Sequence, residues 1–314
     1  MEDDGDFTRY IALLERIATN LLRSEGLEPT SLADLLPTGE QQEVEQEELT
    51  QEILDLLKMP RADFDKLPEK ERRAKITYYR EAGVYRMLYG RRGRRTEKRF
   101  AGHRQLAFIS SGVIRYFQEL LGMAYHLQVG SECSSPLVIQ PENQSRAVHT
   151  VSSHNLATLS RNVETYGEQL KYFLLDLGDC LRHKLLHHTS EPEAGRLSIR
   201  DPQSLKTDQY ASLDKLLNLG VREGVFQTVG GRPGMRPKHT DDPQPVEFNI
   251  SRVYAPVLQF SPRLRWTSSV SCSELCGLLD AEKRKSTKTK MLKRLAKVEE
   301  ADAQLSLLPE GEGP

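Results

Sequence analysis

The sequence predicts a mainly α-helical protein with a single β-hairpin late in the chain. Three observations predict this. Apolar residues recur at spacings of three and four through most of residues 7–189. The period changes to two only within 224–254, and sixteen residues of glycine, proline and charge separate the two period-two runs.

The first helix carries the stripe Phe7, Tyr10, Ile11, Leu14, Ile17, Ala18 and Leu21, and Gly26 and Pro29 end it. Residues 30–42 read as a loop. An acidic helix over 43–58, with Ile53, Leu56 and Leu57 on its apolar side, closes at Met59-Pro60. Pro68 suits a helix start, and a basic, tyrosine-rich helix follows over about 69–89. Gly90–Arg99 holds two glycines and six cations, so it forms an exposed turn. Ser110-Ser111-Gly112 leads into an apolar helix from Val113 to Leu127, with Ser111 as its N-cap. Ile114, Phe117, Leu121 and Ala124 form its stripe, widened by Val113, Leu120 and Leu127.

Residues 129–144 form a polar connector, and 145–189 a second helical region. Val163, Leu170, Phe173, Leu174, Leu177, Leu181 and Leu185 lie on its apolar side. Gly195 through Pro202 breaks it, and a further helix covers about 206–219. Strands over 224–229 and 246–254 turn Val225, Val246, Phe248 and Ile250 inward. Helices followed by two strands around a basic loop are the outline of a winged helix. A short helix at about 272–282 precedes a basic helix and a disordered acidic tail, because "LPEGEGP" has nothing to bury. The expected organisation is acidic N-terminal helices at 1–60, a basic helical domain at 61–128, a winged-helix-like domain at 145–282, and the basic helix and tail at 283–314.

The net charge of -1 conceals segregation. Residues 1–57 hold fifteen Asp/Glu against three Arg, whereas 61–104 hold fifteen Lys/Arg against six Asp/Glu. Lys283 to Lys297 is basic again. Such asymmetry suits a nucleic-acid or acidic partner. No stretch approaches the roughly 18 uncharged apolar residues of a membrane helix. Met1 is followed by Glu2, Asp3 and Asp4, the opposite of a basic signal-peptide start. A cytoplasmic protein without a membrane partner is expected.

Catalytic signatures are missing from the sequence. It contains no P-loop, no G-x-G-x-x-G after a strand and no G-x-S-x-G elbow. His183 and His187 stand four apart without a following glutamate, which reads as an ordinary histidine pair. Cys180 and His183 with Cys272 and Cys276 could be grouped as zinc ligands. Their spacings are common and about 90 residues separate them, so buried thiols are the better account; Cys133 completes the four cysteines. No catalytic residue and no metal site is expected.

Arg115 is the unusual residue. It lies in the first turn of its helix, where the dipole already places positive charge. The plain account is a surface arginine pairing with Glu119 at i, i+4. The functional account is an anion, because dipole, free N–H groups and guanidinium then act together.

"SSGVIR", Ser110 to Arg115, has the form small-Gly-x-x-Arg. Before it runs "YYREAGVYRMLYG…KRFAGHRQLAFI", and after it comes "FNISRVYAPVLQFSPRLRW". In this order they resemble the C-terminal portion of AAA+ ATPases of the origin-recognition, replication-initiator type, particularly their divergent bacterial relatives. The resemblance spans roughly 68–280. It implies a helical lid over 61–128 and a winged-helix domain beyond it. It also implies a sensor-two role for Ser111, Gly112 and Arg115 toward nucleotide phosphate. The family's P-loop, Mg²⁺ motif and sensor-one strand would lie upstream, where this sequence has two helices. The chain therefore looks like a C-terminal half that uses ATP and Mg²⁺ only beside an ATPase core. Alone it would need no cofactor and hydrolyse nothing. Expected partners are DNA and an ATPase-core partner or same-family subunits.

For DNA, the loop cations Arg232, Arg236 and Lys238 suit backbone contact, with Asp241 and Asp242 partly cancelling them. Arg263 and Arg265 stand just before Trp266, which reads as a stacking or packing residue. Arg91, Arg92, Arg94 and Arg95 form the densest cluster and suit nucleic acid, the acidic helices or a neighbouring subunit. The rival readings are a stand-alone winged-helix DNA-binding regulator and a protein-interaction adaptor.

Overall fold

The computed structural model describes residues 4–28, 30–38, 46–90, 97–130, 137–163, 165–188, 191, 193–229 and 246–296. Among them the elements are α1 (Asp4–Ser24), α2 (Leu32–Leu35), α3 (Gln46–Leu57), α4 (Arg61–Asp65), α5 (Glu69–Tyr89), α6 (His103–Ile109) and α7 (Ile114–Val129). Next come α8 (Pro141–Asn162), α9 (Gly167–His187), β1 (Ala194–Ile199), α10 (Ala211–Arg222), β2 (Phe226–Val229) and β3 (Val246–Ile250). Helix α11 (Ala255–Leu258), strand β4 (Trp266–Val270), α12 (Cys272–Leu279) and α13 (Arg284–Ala296) complete the series. The protein is mainly α with a winged-helix-like region. The expected two strands are half of a four-stranded sheet.

The chain forms two units, each assembled from separated segments. The first comprises residues 1–43, 97–167 and 251–257; the second comprises 44–96, 168–250 and 258–314. In the first unit α1 buries Leu14, Ala18 and Leu22. The stretch read as a loop contains the one-turn helix α2, begun by Ser31, whose hydroxyl accepts from the Asp34 N–H. Leu32, Leu35 and Leu36 are buried there. Helices α7 and α8 pack along one another. The stripe of α7 is rotated from the expected one. Tyr116, Phe117, Leu120, Leu121, Ala124 and Gln128 are buried, while Ile114 is 39% exposed. Gln128 tolerates burial because its carbonyl oxygen accepts from Gln140 N at 2.8 Å and Asn143 Nδ2 at 3.0 Å.

In the second unit α3 packs on α5. Gly83 lets them meet, since a Cβ there would come 2.7 Å from Leu49. All the apolar residues expected on α9 are buried, from Leu170 to Leu185. The helical region 145–189 is two helices, with buried Val163 between them. The sheet has the order β2-β3-β1-β4. Strands β2 and β3 are antiparallel, with Phe226 opposite Ile250, and form the expected hairpin. Strand β1 pairs antiparallel to β3 and parallel to β4. It occupies the stretch assigned to a helix break, and β4 lies where no strand was expected. Val225, Phe248 and Ile250 are buried as expected, but Val246, at the strand's open end, is 38% exposed. Helix α10 packs against β2 through Gly220, where a Cβ would lie 2.2 Å from the Phe226 ring. A capping box of Ser271 and Glu274 starts α12.

Among the described residues no helix is long and apolar enough to cross a membrane.

Candidate nucleotide-sensing corner and basic surfaces

The corner between α6 and α7 is built by two successive left-handed residues. Ser111 has φ 57° and Gly112 φ 77°, which turns the chain out of one helix and into the next. Glycine is needed at 112 for conformation alone, since nothing lies within 4 Å of a Cβ placed there. The extra turn delays the helix, so Val113 is the N-cap and no side chain caps α7. Ser111 is therefore not the cap that was expected. Its buried hydroxyl accepts instead from the Arg252 backbone N–H at 2.8 Å. The Arg252 guanidinium sits over the Phe108 ring, 4.2 Å from its centroid. Ser110 donates to the Ala107 carbonyl at 2.7 Å, and its hydroxyl lies 2.8 Å from that of Tyr10.

Arg115 projects from the first turn of α7, with its side chain 62% exposed. Its Nε lies 3.6 Å from Glu119 Oε1, so the expected i, i+4 pair is present. The other oxygen of Glu119 accepts from Asn155 Nδ2 at 2.9 Å, which ties the pair to α8. The guanidinium also lies 5.1 Å from the Tyr116 ring centroid. Beneath it Tyr116 and Tyr254 are buried and hydrogen-bonded to each other, and burial raises both phenol pKa values. The corner thus presents an exposed glycine and a braced, solvent-facing guanidinium at an uncapped helix start.

In the second unit Arg263 and Arg265 are exposed. The Arg265 Nε is 3.7 Å from the carboxylate of buried Glu193. Trp266 packs near Tyr78, with ring centroids 6.2 Å apart, and burial pushes the Tyr78 phenol up to about 12. Arg232, Arg236 and Lys238 of the hairpin loop, and Arg91, Arg92, Arg94 and Arg95, lie outside the described residues. One surface escaped the sequence reading. Lys215, Asn218 and Arg222 share the exposed face of α10, opposite buried Leu213, Leu216 and Leu217. Their three- and four-residue spacing was the signal available.

Of the four residues that could be grouped as zinc ligands, Cys180 and Cys272 are buried, and burial pushes their thiols up to about 12 and about 11; Cys276 is half-buried. Cys272 donates to the Asp201 carbonyl at 3.4 Å. Among the described residues no three His, Cys, Asp or Glu side chains are grouped to hold a metal; Cys133 lies outside them. The rings of His183 and His187 lie with centroids 4.4 Å apart and planes tilted by 46°, and burial lowers the pKa of His183.

A family model described as ORC-CDC6-like matches residues 8–269. The chain belongs to the ORC-CDC6-like family. The origin-recognition relationship read from the order of the three quoted stretches is therefore correct at the level of the family. The ORC-CDC6-like match begins well before residue 68 and takes in the N-terminal helices, to which the sequence reading gave no family role. No curated protein and no solved structure matches the chain.

Proposed function

We propose that this ORC-CDC6-like chain is the nucleotide-sensing and DNA-contacting part of an initiator-type AAA+ assembly. Its 314 residues contain no P-loop, so an ATPase core outside them would bind ATP and Mg²⁺. The observation that carries the reading is Arg115 itself: a solvent-facing guanidinium in the first turn of an uncapped helix, behind an exposed glycine turn. Backbone N–H groups at such a start favour an anion, and a guanidinium beside them adds charge-assisted hydrogen bonds to phosphate oxygens. The Tyr116–Tyr254 floor and the Glu119–Asn155 link limit its rotamers, which lowers the entropy lost on engagement. Arg115 would sense nucleotide and do no chemistry of its own.

DNA contact is assigned to the hairpin loop through Arg232, Arg236 and Lys238, with the polar face of α10 beside it in sequence. The sequence upstream of the chain's coding region is the first place to look for an ATPase core with a Walker A motif. Co-expressed with that polypeptide, the parent chain should support nucleotide-dependent assembly. Arg115→Ala should weaken ATP-dependent assembly or hydrolysis about tenfold or more, the loss expected when one charge-assisted phosphate contact is removed. Unchanged nucleotide dependence in Arg115→Ala would remove the sensor role.

The exposed Lys215, Asn218 and Arg222 face favours a second reading, a winged-helix DNA-binding regulator that acts without nucleotide. That reading predicts salt-sensitive duplex binding by the purified chain, indifferent to ATP.

A further inference from the structure

Helix α13 carries six cations and three hydroxyl side chains against four apolar residues, and their arrangement is sorted by partner. On its inner side, Arg284 Nε lies 2.5 Å from Asp176, a carboxylate that is 2% exposed. Lys288 pairs with the same Asp176 at 3.1 Å and also with Asp179. Arg294 pairs with Glu274 at 2.9 Å, a carboxylate shared with Arg200. Met291 and Leu295 are buried on that side. Each inner cation therefore has a carboxylate from another element.

The outer side is different. At about 100° per residue, Lys285, Ser286, Thr289, Lys290 and Lys293 fall within one arc of about 140°. All five are exposed. Ser286 and Thr289 donate their hydroxyl protons to the Lys283 and Lys285 carbonyls, so the lysines supply whatever the face offers. Among the described residues Lys285, Lys290 and Lys293 have no ion pair. Among the described residues the carboxylates that pair with α13 meet the cations of its inner side.

We infer that the outer face of α13 is a contact surface for the phosphodiester backbone of nucleic acid. From Lys285 to Lys293 the helix rises about 12 Å, which covers about three phosphates of one strand at about 3.4 Å each. Lysine on a flexible stem neutralises phosphate as a point charge without reading bases. A membrane surface fits poorly, because binding there needs the apolar face of the helix, and Met291 and Leu295 are turned into the protein. The inference stands apart from both the Arg115 reading and the hairpin loop.

The test uses the full chain and a labelled mixed-sequence DNA duplex, titrated by fluorescence anisotropy at several salt concentrations. Lys285/Lys290/Lys293→Gln should weaken binding about tenfold or more and flatten the log K against log salt slope by about three units. The same three changed to Arg should bind as the parent does. Arg232/Arg236/Lys238→Ala serves as the independent background, on which the Gln changes should still lower affinity. The inference is overturned if the Gln variant keeps the parent's affinity and slope, or if the Arg variant loses as much as the Gln variant. Displacement of the duplex by poly-glutamate as effectively as by unlabelled DNA, at equal charge, would also overturn it and point to an acidic protein partner.

Discussion

Helices α7 and α13 handle positive charge in opposite ways. Arg115 of α7 is paired within its own helix and stays largely in solvent, whereas Arg284 and Lys288 of α13 reach carboxylates on α9, one of them buried. The difference separates charge that holds the fold from charge that is available to a ligand. An exposed i, i+4 pair gains a few tenths of a kcal/mol at most. A buried carboxylate facing two cations has already lost its hydration and depends on them. In both helices the partner decides the role of each cation.

Three substitutions test that contrast. The largest effect should come from Asp176→Ala, which leaves Arg284 and Lys288 without their buried anion. Both cations are about a quarter exposed and can regain water, so we expect a loss of about 2–3 kcal/mol in urea unfolding, below the roughly 3–5 kcal/mol of a fully buried pair that is broken. An unfolding midpoint within error of the parent would place Asp176 among the exposed pairs in energy. Ser111→Ala should cost about 1–2 kcal/mol, because the Arg252 N–H loses its acceptor in a buried place. Its readout is the same unfolding curve, with faster amide exchange at Arg252 as the local signature. Arg115→Ala should change stability least, by only a few tenths of a kcal/mol. A loss above about 1 kcal/mol would make Arg115 a structural residue and weaken its assignment as a sensor.

The sequence made the helix limits legible where Gly or Pro acts locally. Gly26 takes φ 70° after α1, and Pro68 stands immediately before α5. The hairpin was legible because period-two alternation needs no distant partner to be seen. Strands β1 and β4 were not legible. "AGRLSI" and "WTSSV" are short and hold glycine or serine, and their strand conformation depends on neighbours far along the chain. The rotation of the α7 stripe was hidden for a related reason. Tyr116 and Gln128 look like surface residues until Tyr254, Gln140 and Asn143 supply their hydrogen bonds. At the corner, Arg115 lies in the first turn of its helix as expected, but the N-cap is Val113 and not Ser111, because two successive left-handed residues shift the helix start by two positions.

The segmented make-up of the two units bears on how the chain is made. The N-terminal unit contains residues 251–257, and the hydroxyl of Ser111 waits for the backbone of Arg252. On a ribosome, α1, α2 and α6–α8 emerge long before that segment. Strand β1 likewise emerges with both edges bare, until β3 and then β4 have followed. Neither unit can therefore be completed until late in synthesis, unlike a chain whose N-terminal domain is one continuous segment. The first unit waits for residues 251–257 and the second for β4, α12 and α13 after them.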